Sequence, residues 1–190
     1  MQFRNSVCIV TFALLGGLGS TTAVADEMFL KFVGGGEGDI IGGSTDPQHL
    51  GELVLLSFDV QVDADSSWSR GGGASVGKPN PGKMNWEHSW DRSGPTILRY
   101  IATGTSAPSA TLTVRSDPQG NKAGFEYAKY TFTNIFFTSI GQGLNGPGRA
   151  VSKGSFVYRT VRVEAFAPSN PVPLSCALWD VVAGTVTDCR

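Results

Sequence analysis

The sequence predicts a mostly β protein, built as a barrel or a sandwich. Residues with β-branched and aromatic side chains concentrate in short segments, and clusters of glycine and proline separate those segments. A single stretch has the periodicity of a helix. Such a pattern is typical of the all-β class. The predicted strands span residues 28–33, 52–62, 111–115, 125–139 and 156–166.

Two of these strands carry more detailed information. In residues 111–115, apolar and polar side chains alternate strictly, so we expect a strand with one face in water. Along residues 125–139 the apolar side chains change phase after Phe132. One extra residue in a strand produces such a change, and we therefore predict a β-bulge near Thr133 and Asn134.

The predicted helix is short and amphipathic. Ser93 is a candidate N-cap, Pro95 suits the first turn, and Gly104 stands where a helix would end. A helix of this length is marginal on its own, so we expect it to lie against the open side or the mouth of the sheet. Its apolar stripe comprises Ile97, Leu98, Ile101 and Ala102.

Residues 1–25 have the parts of a secretory signal peptide. Arg4 provides the positive start, residues 7–18 are apolar, and residues 23–25 form a small-residue cleavage site. The apolar part is too short for a transmembrane helix, which needs about 20 residues. We therefore expect an exported protein, periplasmic or secreted, that begins at Asp26 and has no stable membrane insertion.

The exported chain divides into a domain at residues 26–166 and a proline-rich C-terminal extension at residues 167–190. Cys176 and Cys189 in the extension are the pair that remains once the signal peptide is removed. In an exported chain, a disulfide between them is the default expectation. Such a bond would pin the extension, and it would contribute about 3 kcal/mol at most.

Charge and metal-ligand spacing exclude several classes of function. The chain has 15 basic and 16 acidic residues, and it lacks a basic block that would suit nucleic acid. The histidines, His49 and His88, are not paired, and the two cysteines of the extension have no second pair, so the spacing of a zinc site is missing. Asp63 and Asp65 lack the rest of a calcium loop. We expect neither a metal nor a cofactor.

Residues 63–82 predict a long protruding loop, because glycine, proline and serine dominate them. Loops of this length are usually functional or disordered. Within the loop, residues 73–77 match the Gly-x-Ser-x-Gly pattern of hydrolase nucleophile elbows. The elbow needs a helix directly after the serine, and Pro79 and Pro81 prevent one. A flexible glycine-rich loop is the better interpretation.

Two further motifs resemble enzyme sites by residue type alone. His88, Asp91 and Ser93 could form a nucleophilic triad, but residues so close in sequence rarely reach the ordered geometry. We interpret them as a surface strand residue, a turn residue and a helix cap. Residues 141–146 fit a dinucleotide fingerprint, yet Pro147 follows where a helix must begin. We predict a hairpin loop there, and no catalytic residue anywhere.

The order of the segments along the chain forms a pattern of its own. It covers residues 28–166 and comprises 28–32 (MFLKF), 38–40 (GDI), 52–53 (EL), 82–85 (GKMN), the helix around 93–104, 110–115 (ATLTVR), 126–134 (EYAKYTFTN) and 155–165. This collinear series resembles the Hcp family, the haemolysin-coregulated tube proteins of bacterial type VI secretion.

The resemblance implies an Hcp-like β-barrel of two packed antiparallel sheets with one short flanking α-helix. It also implies a structural protein, not an enzyme, that forms hexameric rings. Such rings stack into a tube whose lumen can hold small protein effectors. In the family, the long loop after the second strand reaches the neighbouring ring. Carried onto this chain, that contact is expected from Trp68, Arg70, Lys78 and Lys83.

The sequence departs from the family in its signal peptide and in its extension with a cysteine pair. Both departures concern location. They leave an alternative open, in which the chain is an exported binding module with the same fold that acts outside the secretion tube. A hydrolase is a third hypothesis, which the incomplete motifs at Ser75 and Ser93 disfavour.

Overall fold

The computed structural model describes residues 26–69, 73–116, 124–145, 148–168 and 170–189, without the side chains of residues 67–69, 73–76 and 145. It confirms a mostly β fold with one short helix. The elements in chain order are β1 (Glu27–Val33), β2 (Leu53–Ser69), β3 (Gly73–Ser89), α1 (Gly94–Thr103), β4 (Ala107–Arg115), β5 (Glu126–Asn145), β6 (Arg149–Val157), β7 (Thr160–Ala165), β8 (Ser175–Asp180) and β9 (Thr185–Asp188).

The strands form one antiparallel sheet that closes on itself. Its order is β4-β1-β2-β3-β6-β5-β7-β8-β9, and an additional β4–β5 pairing joins the first strand of this order to β5. The first part of β5 lies between β4 and β7, whereas its second part pairs with β6. Strand β5 is therefore shared by two layers, and the barrel encloses the core between them.

The change of phase in β5 occurs at Asn134, where we predicted a β-bulge. Phe132 and Ile135 are both fully buried. The register with β4 is the same on both sides of Asn134, so no residue is inserted and a bulge is not the cause. Instead, Asn134 has a φ of 48°, a left-handed conformation that asparagine tolerates better than most residues. This residue turns the strand from one layer to the other.

Aromatic rings fill the centre of the barrel. Phe156 lies among Phe32, Trp86 and Phe132, with ring centroids 6.0, 5.7 and 5.2 Å away. The indole of Trp86 covers Gly154, where an added Cβ would lie only 2.2 Å from the ring atom Cζ2. The core thus depends on one glycine that leaves room for an indole.

Helix α1 packs on β5 and ends as the sequence predicts, at Gly104, which has a φ of 65°. Ile97 and Tyr100 are buried, but Leu98 is 56% exposed, so the predicted stripe is wrong by part of a turn. Tyr100, which is buried, is not part of the predicted stripe. Its hydroxyl donates to the carbonyl of Gly38, 2.9 Å away, and this hydrogen bond fixes the helix against the β1–β2 connection.

The C-terminal extension continues the sheet. Strand β8 pairs with β7 along its whole length, and β9 pairs with β8. Trp179 of β8 belongs to the core of the barrel and is 9% exposed. Cys176 and Cys189 form a disulfide with a Cα–Cα distance of 5.2 Å. The extension is therefore held both by the bond and by a core residue.

Removing the disulfide should weaken the protein without unfolding it. In a Cys176→Ser/Cys189→Ser variant, β8 keeps its pairing with β7 and Trp179 keeps its place in the core. We expect the free energy of unfolding to fall by no more than about 3 kcal/mol. Denaturant titrations of the variant and of the oxidised wild type measure this loss. A barrel that fails to fold without the bond would show that Trp179 and the β7–β8 pairing do not hold the extension by themselves.

Candidate functional site

Strands β2 and β3 form a long hairpin that extends beyond the barrel. Strand β1 pairs with β2 only at Leu53 and Val54, and β6 pairs with β3 only from Met84 onward. Beyond these positions, within the described residues, the two strands pair only with each other. We call this two-stranded part, residues 57–69 and 73–83, the ribbon.

The ribbon corrects the prediction of an irregular loop at residues 63–82. Its glycines and prolines mark irregular pairing on an open edge, where a missing N–H removes no bond to a further strand. Pro79 and Pro81 are paired with β2, and the register shifts on both sides of that stretch. Gly82 allows close approach, because a Cβ there would lie 2.7 Å from the carbonyl oxygen of Gln61.

The residues predicted to contact a neighbouring ring belong to this hairpin or to its connection. Lys78 and Lys83 are exposed on β3. The backbone of Trp68 lies in β2, opposite Ala74, and its side chain is outside the described part of the chain. Arg70 also lies outside the described residues. The Gly-x-Ser-x-Gly motif forms the start of β3, so the prediction of a flexible loop there is wrong.

The two strands of the ribbon carry opposite charges. Strand β2 has three exposed aspartates and no basic residue, whereas residues 73–83 of β3 have two exposed lysines and no acidic residue. The charged residues are Asp59, Asp63, Asp65, Lys78 and Lys83. The ribbon thus has an acidic edge and a basic edge.

His88, Asp91 and Ser93 meet in a buried cluster where β3 leads into α1. The indole Nε1–H of Trp86 donates to Nδ1 of His88, 3.1 Å away. Nε2 of His88 lies 3.4 Å from Oδ1 of Asp91 and 3.3 Å from Oγ of Ser93. The other carboxylate oxygen of Asp91 accepts the backbone N–H of Gly43 at 3.0 Å. The cluster therefore joins three separate parts of the chain.

The hydrogen bonds of this cluster run in the wrong direction for a nucleophilic triad. Because Nδ1 of His88 accepts a hydrogen bond from the indole N–H of Trp86, the ring proton of His88 is on Nε2. The hydroxyl of Ser93 donates to Asp91 at 2.6 Å, so no base receives its proton in the way that catalysis requires. His88 and Ser93 are fully buried, which corrects the prediction of a surface histidine. Ser93 stands at the N-cap, but its side chain makes no capping bond.

The ionised carboxyl of Asp91 should make the free energy of unfolding fall as the pH becomes acidic. Burial alone would raise the pKa of this carboxyl, but hydrogen bonds from His88 and Ser93 outweigh it and hold the pKa below the ordinary value of 3.8. A lowered pKa stabilises the folded state above the unfolded-state pKa, and the contribution disappears as the pH falls through the folded-state pKa. We expect Asp91→Asn to cost about 1 to 2 kcal/mol at pH 7.

The test is a set of urea titrations of the wild type and Asp91→Asn from pH 7 to pH 2. The difference between the two proteins should stay constant down to about pH 5 and shrink below about pH 4. Asp39→Asn, which alters an exposed carboxyl near the same loop, is the matched control. A difference that does not change with pH would show that the charge of Asp91 is unimportant.

A second polar cluster covers the outer face of β1 and β4. The guanidinium of Arg115 binds the carboxylates of Glu27, at 2.7 Å, and Asp46, and it lies 5.0 Å from the ring centre of Phe29. The hydrogen bond from Arg115 lowers the pKa of Asp46. The ring of His49 stacks on Phe29 at 4.0 Å. This cluster holds residues 44–52 against the barrel.

The same covering explains why the exposed face predicted for residues 111–115 is wrong. Thr113 and Arg115 are only 4% and 8% exposed. Thr113 lies beside Phe29 in the β1–β4 pairing, under the segment that carries His49. Alternation within one strand cannot reveal a cover that a distant segment supplies.

The described residues contain no group of three or more His, Cys, Asp or Glu side chains that could hold a metal ion. Within the same ranges, no helix is both long enough and apolar enough to cross a bilayer. The two buried polar clusters position loops and the helix. The ribbon is the feature with unused bonding capacity, and it is therefore the candidate functional site.

Comparisons with known proteins agree on one family. The family model described as "Type VI secretion system effector, Hcp" matches residues 29–164. The chain is similar to the crystal structure of Hcp1 from Salmonella typhimurium, with 26% identity, a TM-score of 0.67, and coverage of 86% of this chain and 99% of that one. The chain is also similar to the crystal structure of Hcp2 from Salmonella typhimurium, with 24% identity, a TM-score of 0.58, and coverage of 83% of this chain and 97% of that one. No curated protein matches the chain.

A further solved structure, described as a type six secretion system protein, has the same fold. Its identity is 19% and its TM-score is 0.73, with coverage of 86% of this chain and 100% of that chain. At this identity the likeness shows the fold alone. The match to the family model, in contrast, extends over most of the chain.

Proposed function

Because the chain belongs to the Hcp family of type VI secretion, we propose that it is a non-enzymatic structural protein that assembles into hexameric rings. The rings stack into a tube and carry small protein effectors in their lumen. The match over residues 29–164 supports the tube-type assignment. The hexameric ring, its stacking and its effector cargo are our proposals for this chain.

The observation that carries the assembly proposal is the ribbon. A two-stranded ribbon leaves backbone N–H and C=O groups on its outer edges, fewer on the β3 edge because Pro79 and Pro81 have no N–H, and isolated hairpins of this kind are marginal in water. A neighbouring copy that packs against the ribbon satisfies these groups. Lys78 and Lys83, predicted as contacts between rings, lie on this surface and are exposed.

The structure around Ser93 and Ser75, the two serines in motifs that resemble enzyme sites, supports a non-enzymatic role. Ser93 donates its proton to Asp91 and is buried, so no substrate reaches it. Ser75 lies in a strand, and the segment after it stays in that strand through Pro79 and Pro81, so the helix of a nucleophile elbow is not formed.

We further propose that the chain is exported. The predicted signal peptide, residues 1–25, lies outside the described residues. The disulfide between Cys176 and Cys189 supports an oxidising compartment, since cytosolic proteins rarely keep such bonds.

The experiment is to express the full-length chain, purify it from the periplasm, and measure its N-terminal residue and its mass in solution. Mass spectrometry should find Asp26 at the N-terminus. Light scattering over a dilution series should give a mass near that of a hexamer. A protein that keeps residues 1–25 would overturn export, and a monomer at every concentration would overturn the ring.

The disulfide and the predicted export also favour one alternative, an exported binding module of the same fold that acts outside the secretion tube. This alternative expects a monomer or a single ring that does not stack. Electron microscopy of the same preparation distinguishes the two, because stacked rings appear only if the tube is formed.

A further inference from the structure

We propose that the bond between Cys176 and Cys189 is a redox clasp. A protein dithiol reduces the bond by attack at Cys189, strand β9 then leaves the sheet, and strand β8 stays in place. Reduction thereby opens the outer edge of β8. This behaviour goes beyond self-assembly and is the same in a monomer and in a ring.

The two strands of the C-terminal hairpin are held in different ways. Strand β8 pairs with β7 along all six of its residues, and its Trp179 belongs to the core. Strand β9 is the last strand in the order of the sheet, and among the described strands it pairs with β8 alone. All four residues of β9 are exposed, and its apolar Val186 is 66% exposed. Burial therefore fixes β8 and contributes little to β9.

The turn between the two strands is held by contacts that do not involve the disulfide. Oδ1 of Asp180 accepts the backbone N–H groups of Val182 and Ala183, each at 2.9 Å, and Val181 packs against the core. Gly184 follows with a φ of 68°, a left-handed conformation that glycine adopts readily. Release of β9 therefore begins at Gly184 and leaves the turn before it in place.

The disulfide is the main restraint on β9. It joins Cys189, the residue directly after β9, to Cys176 at the start of β8. A covalent bond at this position limits the conformational freedom that β9 would gain by leaving the sheet. Without the bond, β9 is a short, exposed end of the chain, and such ends are poorly ordered unless they are tied down. Reduction should therefore change β9 from a strand that opens rarely to one that opens often.

The exposure of the two cysteines decides which sulfur is attacked. Cys176 is 8% exposed, whereas Cys189 is partly exposed. A thiolate of the reductant attacks Sγ of Cys189, the S–S bond breaks, and Sγ of Cys176 leaves as a thiolate that takes up a proton. The second thiolate of the reductant then attacks the reductant's own sulfur in the mixed disulfide, and Cys189 leaves in the same way. The clasp gains two electrons and the reductant becomes a disulfide.

Opening the clasp changes the surface beside the ribbon. A Cβ added to Gly184 would lie 3.7 Å from Cε of Lys78, so the start of β9 lies next to the ribbon. When β9 leaves, the backbone groups of Ser175–Asp180 that face it lose their partners. The redox state of the clasp thus controls a sheet edge whose turn lies beside the candidate functional site.

A trapping reaction tests the site of attack in the oxidised mature chain, which has no other cysteine. The probe is a thioredoxin-type dithiol protein whose second cysteine is replaced by serine, so that the mixed disulfide persists until an alkylating agent stops the reaction. Peptide mass mapping should find at least about ten times more probe on Cys189 than on Cys176. Equal amounts on the two cysteines, or no adduct under conditions in which the probe reacts with oxidised glutathione, would overturn the assignment.

Hydrogen exchange in brief labelling pulses tests the release of β9. After reduction with dithiothreitol, the backbone amides of residues 185–188 should exchange at least about tenfold faster, and those that pair β8 with β7 should change less than about twofold. The matched control is Cys176→Ser/Cys189→Ser, which should exchange like the reduced wild type whether or not the reductant is present.

Two results would contradict the clasp. If residues 185–188 exchange equally in both redox states, the bond does not hold β9. If β8 loses its protection together with β9, the hairpin opens as a whole and β8 is not anchored independently. Neither measurement depends on the mass of the protein in solution, so the clasp and the proposed ring are tested separately.

Discussion

Replacing Phe156 with alanine is expected to lower the free energy of unfolding by about 3 to 5 kcal/mol. Phe156 is fully buried, and its ring contacts the rings of Phe32, Trp86 and Phe132 from two layers of the barrel. Truncation removes the largest part of these contacts and leaves a cavity that rigid neighbouring rings cannot fill. Urea unfolding followed by circular dichroism measures the loss.

Phe136→Ala is the matched control for this variant. Phe136 lies on β5, next to β6 in the same layer, but its side chain is 42% exposed. Its truncation removes less buried surface and opens no closed cavity, so we expect a loss of about 1 kcal/mol or less. Equal losses for the two variants would mean that the aromatic cluster does not stabilise the barrel.

Replacing Gly154 with alanine is expected to cost about 3 kcal/mol, although it adds only a methyl group. The new Cβ would lie 2.2 Å from Cζ2 and 2.4 Å from Cη2 of Trp86. The indole cannot move aside easily, since its Nε1–H is bonded to His88. Either the ring leaves its place or β6 separates from β3. Tryptophan fluorescence together with urea unfolding should report both the loss of stability and the changed surroundings of the ring.

Gly143→Ala isolates the effect of the clash from the general effect of replacing a strand glycine. Gly143 lies on the neighbouring strand β5, and an added Cβ there meets nothing within 4 Å. Removing a glycine restricts the unfolded chain, so the variant should be as stable as the wild type or slightly more stable. If Gly154→Ala were equally harmless, the space under Trp86 would be larger than the structure gives.

The sequence alone predicts the class of fold and most strand positions because those depend on local pattern. Residues 28–33 and 156–166 are rich in the β-branched and aromatic side chains that favour strands, and Gly104 ends the helix by its own conformational freedom. Each of these signals acts between residues that are close in the chain. Such local signals do not depend on how distant parts of the chain pack.

The predictions that failed depend on contacts between distant residues. The burial of Thr113 and Arg115 is produced by residues 44–52, and His88 is buried where β3 lies between β2 and β6, opposite Leu55 and Ser152. Nothing in the alternation of one strand encodes such a cover. The sequence does not predict the ribbon for a different reason, since its glycines and prolines are equally typical of loops.

The candidate site was only partly visible in the sequence. The family resemblance indicates Lys78 and Lys83, whereas the pattern around Asp63 and Asp65 indicates only that a calcium loop is absent there. The aspartates and the lysines lie on neighbouring strands because residues 57–69 and 73–83 pair as parts of β2 and β3. The sequence does not reveal this pairing, because the glycines and prolines of the two segments are equally typical of a loop.

The pairing of β1 also affects the time at which the barrel can form. Glu27 in the first strand bonds to Arg115, 88 residues further along the chain, and β1 has only a two-residue pairing with β2 before that. Topologies dominated by such distant pairings fold in milliseconds to seconds. Most of β1 must therefore stay unpaired during synthesis until β4, which ends at Arg115, has followed.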